Sequence, residues 1–380
     1  MTKHYYPLHL HIVNQNEQHV GEQVYLAGTF NNWSEEHLLL GTIPEKGKRL
    51  DFILPELRAA EHEFKLSRGN FKTLFATPSG QLAQTVWLNH SKESNLEITI
   101  EAWRDDFPAS TAGKQVTILD EHFYFPSLNV HRKIMIYLPK GYRQSEQRYP
   151  VLYMHDGQHL FDEATSVGRS GPVEWQVDKT IDKSAHEAIV VAIYHAANYE
   201  LRAQEYMLSA TEEIKNPKGL LYLEDIVQEL KPFIDDQYRT YPDAANTAIA
   251  GSSIGGLISI YAGLLYPDVF GTIGSFSPSI WMDEEALYLK TLNKLLKYAT
   301  EYSNQTLYFY VGGKEKRFDN KTSENDMKKE LEKYIDFLAK NYKGSIELDI
   351  NEHGKHGAAY WQLAFPRFFE HWNLNMGKNI

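Results

Sequence analysis

One pentapeptide has residue types and spacing that could break an acyl bond: Gly251-Ser252-Ser253-Ile254-Gly255. It matches the pattern G-x-S-x-G, follows the strand-like run Thr247–Ala250 and precedes an apolar helical pattern. Glycines two before and two after the serine let the backbone take a sharp strand-to-helix turn that larger side chains would obstruct. Such a turn lifts the serine Oγ to the carboxyl edge of a sheet. It also aims the next N–H, that of Ile254, at a developing oxyanion from a helix N-terminus. Ser253 is the candidate nucleophile. Ser252 fits worse, because the glycines around it fall at the wrong spacing.

A serine of ordinary acidity needs a base to take its proton and an acid to orient that base. In strand–turn–helix serine hydrolases these follow in the order serine, acid, histidine. Downstream, Glu315 comes after the strand-like run Leu307–Val311 and His356 after Ile346–Ile350. The separations, 315 − 253 = 62 and 356 − 315 = 41, leave room for intervening helices. His353 shares a glycine-rich loop with His356, and Asp319 and Asp326 compete with Glu315, although Asp326 is better placed as a helix cap. Residue pattern alone leaves both partners open.

A second oxyanion donor is expected after the third strand, which ends Met154-His155-Asp156-Gly157-Gln158. Gly157 permits a tight turn, so its N–H or that of Gln158 can face a pocket. His155 and His159 are four apart, a metal-pair spacing on a helix, but they fall across a strand-to-turn break. The chain has no G-x-x-x-x-G-K-[ST], no G-x-G-x-x-G opening a βαβ unit and no H-E-x-x-H. NTPase, dinucleotide and zincin chemistry lack support, and no cofactor or metal is expected.

The elements that must position these residues alternate in type. Strand-like runs at Lys133–Leu138, Pro150–His155, Ala188–Ile193, Thr247–Ala250, Val269–Gly274, Leu307–Val311 and Ile346–Ile350 are short, apolar and β-branched. Helical spacing appears at Leu223, Ile226, Val227, Leu230 and Ile234, with a kink expected at Pro232, and at Met327, Leu331, Tyr334, Ile335 and Leu338. Ser323, three before Asp326, resembles a capping box for that second helix. Alternation of this kind predicts an α/β fold with a doubly wound, mostly parallel sheet. Residues 1–104 read differently. Short apolar runs at Leu50–Leu54, His62–Leu66 and Leu96–Ile100, separated by turn residues, predict a small all-β sandwich. Residues 105–114 are polar and read as a linker, leaving 115–380 as the α/β domain.

Composition narrows the partners. At 42% hydrophobic and 23% charged, the chain can bury a large core. Lys+Arg 39 against Asp+Glu 50 gives a net charge of −11, which repels phosphate backbones, so no nucleic-acid partner is expected. The absence of cysteine excludes disulfides, thiol nucleophiles, thiolate zinc sites and iron–sulfur clusters. No apolar stretch of signal-peptide type opens the sequence, so a soluble, cytoplasmic protein is expected. The charge-free stretch between Asp243 and Asp268 (268 − 243 − 1 = 24 residues) is long enough to span a bilayer, but its four glycines and its serines read as a buried strand and helix. No membrane partner is expected, and homo-oligomerisation stays open.

At the residues quoted above the chain resembles the esterase D/enterochelin-esterase-like branch of the α/β-hydrolases, which also holds feruloyl esterases of carbohydrate esterase family 1. The resemblance runs over roughly residues 115 to 375. It is carried by Pro150–Gln158 with Leu160-Phe161-Asp162, by Glu174–Asp178, by Arg202 with Glu205-Tyr206, by Ala250–Leu257 and by Ser277–Trp281. Val311-Gly-Gly-Lys-Glu315 matches the family's acid position, and His356 lies five before Trp361 as the family's histidine does. The resemblance thus implies His356 over His353 and Glu315 over Asp319. Three positions depart from it: His159 stands where Asn is usual, Tyr194 where Asp is common, and Gly357 where a polar residue often follows the histidine. All three imply an atypical substrate. Residues 24–33, 62–69 and 100–104 are similar to an early-set Ig-like domain akin to carbohydrate-binding module family 48. There Trp33 either stacks on a sugar or buries itself, and Phe71 replaces a common tryptophan.

The expected function is a serine carboxylic-ester hydrolase using Ser253, His356 and Glu315, with Ile254, Gly157 and Gln158 as the oxyanion hole. Trp281, Phe161 and Arg202 are the candidates for the substrate rim. The expected substrate is a small or sugar-linked ester, of feruloyl or acetyl type, or a siderophore lactone. The competing reading is a glycan-binding protein with a decayed hydrolase domain.

Overall fold

The computed structural model describes residues 4–168, 171–319 and 323–376. The chain divides into two compact units, Met1–Thr111 with Asp162–Val173, and Ala112–Phe161 with Glu174–Ile380.

The first unit is built from two facing β-sheets. Tyr5–Asn14 lies between Arg49–Arg58, antiparallel, and Ser94–Ile100, parallel. The second sheet orders Leu38–Thr42, Gln23–Gly28, Ala60–Ser67 and Val86–His90. Strand side chains alternate between faces. Accordingly Leu8, Leu10 and Ile12 point inward from one sheet and meet Val24, Leu26, Phe64 and Leu66 from the other. Trp33 is half-buried, at a positive φ of 55°, and stands apart from that core.

The stretch read as a linker begins inside this unit. Arg104 is buried, and its guanidinium donates to the carbonyls of Pro108 at 2.9 Å and Ala109 at 2.6 Å. Its counter-charge is Glu163, which also accepts the N–H of Leu82 at 3.0 Å. Residues 162–173 therefore complete the first unit although they lie 50 residues beyond it in sequence. Lys65, on the strand Ala60–Ser67, is buried as well. Burial pushes its ammonium down to about 8, partly opposed by Glu163.

The second unit holds an eight-stranded sheet. Its strands are β1 (Val116–Phe125), β2 (Val130–Tyr137), β3 (Val151–His155), β4 (Ile189–Ile193), β5 (Thr247–Ser252), β6 (Thr272–Phe276), β7 (Thr306–Gly312) and β8 (Ser345–Asn351). Their order is β1-β2-β4-β3-β5-β6-β7-β8, with the first two pairings antiparallel and the rest parallel. β3, β4, β5, β6 and β7 are buried along their whole length, which is why they read as continuous apolar runs.

Three local expectations need correction. The strand expected at Val269–Gly274 starts only at Thr272, because Gly271 N–H is still turning, donating to Ala244 and Thr247 carbonyls at 2.8 and 3.0 Å. The helix around Pro232 runs Gly219–Asp225, a wide π-turn over Ile226–Leu230, then Lys231–Gln237. Proline cannot supply an N–H, and the widened turn just before it takes up the mismatch. The cap of helix Met327–Leu338 is Asp326 itself, whose side chain accepts from Lys329 N–H, while Ser323 lies in a short strand. Among the described residues no helix is long and apolar enough to cross a membrane, and 254–265, inside the charge-free stretch, is a buried helix.

Candidate active site

β3 and β5 are parallel neighbours in the register Met154↔Ala250. Three residues beyond that pair, the chain reaches Gly157 on one strand and Ser253 on the other, both at the carboxyl edge. Ser253 links β5 to the helix Ile254–Leu265 at φ 57° and ψ −120°. A side chain in this region is strained by about 1–3 kcal/mol and is held there only by its surroundings. Ser253 N–H donates to the Phe276 carbonyl at 2.9 Å, and its own carbonyl accepts from Leu257 and Ser279 N–H at 3.1 and 3.0 Å. Gly251 is required: a Cβ there would stand 2.8 Å from the Gly255 carbonyl oxygen and 2.9 Å from the His155 ring. Gly157 is required too, because a Cβ would fall 2.8 Å from the backbone of Ala192.

Ser253 Oγ lies 3.1 Å from His356 Nε2, and His356 Nδ1 lies 2.8 Å from Glu315 Oε2. Two groups that can only donate, the Trp361 indole and the Gly312 N–H, order the contacts at the acid end of this row. The Trp361 indole N–H donates to Ser277 Oγ at 3.0 Å, so the Ser277 hydroxyl proton turns to Glu315 Oε1 at 2.6 Å. Gly312 N–H also donates to Oε1, at 2.7 Å. With Oε1 accepting twice, Oε2 is left to accept the Nδ1–H of His356, and in the neutral imidazole Nε2 then turns its lone pair toward Ser253. Glu315 is buried at 1% exposure, and the edge of Trp361 packs against the His356 ring with centroids 5.0 Å apart. The His353 backbone N–H donates to Asn351 Oδ1 at 3.1 Å, and the Asp326 carboxylate is occupied as a helix cap. The Asp319 side chain lies outside the described residues.

Beneath the turn at Gly157, Asp156 sits at φ 58° and accepts a bidentate pair from Arg202 at 2.6 and 2.7 Å. Burial alone would raise this carboxyl, but the Arg202 guanidinium outweighs it and holds it at about 2. His155 is fully buried and pushed down to about 4. Its Nδ1 bonds the Tyr222 hydroxyl at 2.8 Å and its Nε2 has no partner. Burial likewise holds His159 at about 4, with its ring 6.0 Å from that of His195.

The rim candidates separate. Trp281 is 40% exposed, in the short turn Ile280–Met282 that follows Ser279. Phe161 is 1% exposed and belongs to the core with Trp175, Phe276 and Phe365, so it cannot line a rim. Arg202 is not at a rim either, since its guanidinium is committed to Asp156 and only 11% of its side chain is exposed. Sequence reasoning missed Ser277, Ser279 and Asp156 as parts of the site. Both serines stood in a quoted motif, but no local signal marked what they touch.

An eight-stranded sheet of this order, with a serine on the turn after its fifth strand, is an α/β-hydrolase. The family model Esterase, described as "Putative esterase", matches residues 126–371, well over half of the chain, and the chain belongs to that family of ester hydrolases. It is 26% identical over 260 residues to the uncharacterized protein YjcH of Bacillus subtilis, covering 66% of this chain and 95% of that protein. It is 27% identical over 203 residues to an endo-1,4-beta-xylanase/feruloyl esterase of Xylanibacter ruminicola, covering 51% of this chain but only 26% of that one. The crystal structure of the enterobactin esterase of Shigella flexneri is similar in fold, with a TM-score of 0.55 at 18% identity, covering 93% of this chain and 88% of the other.

Proposed function

We propose that this esterase works through an acyl-enzyme formed on Ser253. The observation that carries this reading is the proton row from Ser253 Oγ through His356 to the buried Glu315 carboxylate, at 3.1 and 2.8 Å. Ser253 Oγ attacks the ester carbonyl while His356 Nε2 takes its proton. Ile254 N–H and the N–H groups of Gly157 and Gln158 receive the oxyanion. His356 returns the proton to the departing alcohol, Glu315 stabilises the imidazolium, and water then repeats the sequence on the acyl-enzyme. The acceptor carbonyl is that of a small or sugar-linked ester, of feruloyl or acetyl type, or of a siderophore lactone. The names of the feruloyl esterase relative and the enterobactin esterase neighbour support this choice.

The test is labelling with a fluorophosphonate, read by intact and peptide mass, beside turnover of p-nitrophenyl acetate. Adduct on Ser253 with loss of turnover supports the reading, and full activity in Ser253→Ala overturns it. Ranking kcat/KM over a feruloyl ester, an acetylated sugar and a catecholate trilactone then selects the substrate class.

A further inference from the structure

The row through His356 uses the only proton Ser253 has, yet Ser253 Oγ has a second partner. Ser279 Oγ lies 3.0 Å away. A serine hydroxyl carries one proton and two lone pairs. In the neutral imidazole with its proton on Nδ1 toward Glu315, Nε2 of His356 accepts and the Ser253 proton points at it. The bond to Ser279 must then be donated by Ser279. Ser279 is 4% exposed, and its own N–H holds the Ser253 carbonyl at 3.0 Å. Two residues earlier Ser277, at φ 46°, donates to Glu315. One tripeptide, Ser277-Pro278-Ser279, thus grips both ends of the row.

A hydroxyl donating to Ser253 Oγ acts unequally in the two half-reactions. In acylation Oγ is the nucleophile, and a donated hydrogen bond orients it while slightly lowering its electron density. In deacylation Oγ is the leaving group and gains negative charge as the second tetrahedral adduct collapses. There the donor stabilises the charge that develops. Resting on the proposed role of Ser253, we propose that Ser279 is a catalytic residue for deacylation, donating a hydrogen bond to Ser253 Oγ as it leaves the acyl group. The balance is closed. Water gives its hydroxyl to the acyl carbon and its proton to His356, His356 passes that proton to Oγ as the C–Oγ bond breaks, and Ser279 keeps its own proton throughout.

The experiment separates the half-reactions in full-length protein by stopped-flow and quenched-flow with p-nitrophenyl acetate, with the acetyl adduct followed by intact mass and located by peptide mapping. For Ser279→Ala the acylation rate is expected to stay within about threefold of wild type. Deacylation is expected to slow about ten- to a hundredfold, the range for a hydrogen bond to a charged group, so acetyl-Ser253 accumulates. Ser279→Thr, which keeps the hydroxyl, is expected to restore deacylation. Ser279→Cys, which keeps the volume with a weak donor, is expected to slow it in the same direction and serves if the alanine variant does not fold. Equal slowing of both steps, or of neither, overturns the proposal while leaving Ser253 as nucleophile. An adduct on another residue, or one still formed by Ser253→Ala, overturns the underlying reading instead.

Discussion

Ser277 Oγ donates to Glu315 Oε1 at 2.6 Å, and through this contact the Trp361 indole reaches the carboxylate beside His356. Ser277 is fully buried, its hydroxyl set between the Trp361 indole and Glu315. It holds the acid in one rotamer, and the acid holds the imidazole.

Removing that hydroxyl should therefore weaken the row without touching the pocket. Ser277→Ala leaves Oε1 with the Gly312 N–H alone and takes the acceptor from the Trp361 indole N–H. A fall in kcat of about tenfold is expected, with KM nearly unchanged, corresponding to one lost charge-assisted hydrogen bond. Trp361→Phe frees the Ser277 proton to turn elsewhere and should give a smaller fall of the same kind. Steady-state kinetics on p-nitrophenyl acetate check both. A rise in KM matching the loss in kcat would place Ser277 in substrate binding instead.

Acid sensitivity follows from the groups packed around the turn at Gly157. His155 and His159 are held at about 4 in the folded chain against an ordinary 6.5. Between those values the unfolded chain binds more protons, so stability is full above about 6.5 and is lost as pH falls toward 4. Asp156, held at about 2 against an ordinary 3.8, adds a second loss at lower pH, present above its ordinary value and gone as pH falls through about 2. Urea midpoints measured between about pH 7 and pH 4 should decline steadily. His155→Gln should flatten the decline, and an unchanged pH profile in that variant would count against it.

In the first unit Glu163 is the carboxylate facing two buried cations, Arg104 and Lys65. Glu163→Ala should destabilise that unit by about 3–5 kcal/mol, the usual effect of removing one partner from a buried pair. Lys65, at about 8 against an ordinary 10.5, carries its burden in full below about 8 and sheds it as pH rises toward 10.5. Part of the lost stability should thus return at alkaline pH. Denaturant unfolding at neutral and alkaline pH checks both statements, and a loss under about 1 kcal/mol would contradict the first.

Much of this geometry was legible because it is encoded locally. The glycines at 251 and 255 announce the turn around Ser253, and continuous apolar runs announce strands buried on both faces. What was not legible depends on distant partners. Nothing near Ser277 says that Glu315 lies against it, 38 residues on. Nothing near Arg202 says that its fork is spent on Asp156, 46 residues back. Phe161 looked available because an aromatic after a turn carries no local mark of whether the sheet or solvent receives it. Glu163 reads as part of the hydrolase segment until its pairing with Arg104, 59 residues earlier, is seen.

That last pairing imposes an order in time. During synthesis the first 111 residues leave the ribosome with Arg104 and Lys65 bound for a dry interior and no carboxylate to meet them. The completing segment, 162–173, begins to emerge only after another 50 residues, about 2.5–10 s later at ordinary elongation rates. The first unit must wait for a piece of the chain that follows it before it can close. Stalled nascent chains should accordingly turn from protease-susceptible to resistant in this region only once residue 173 is outside the tunnel.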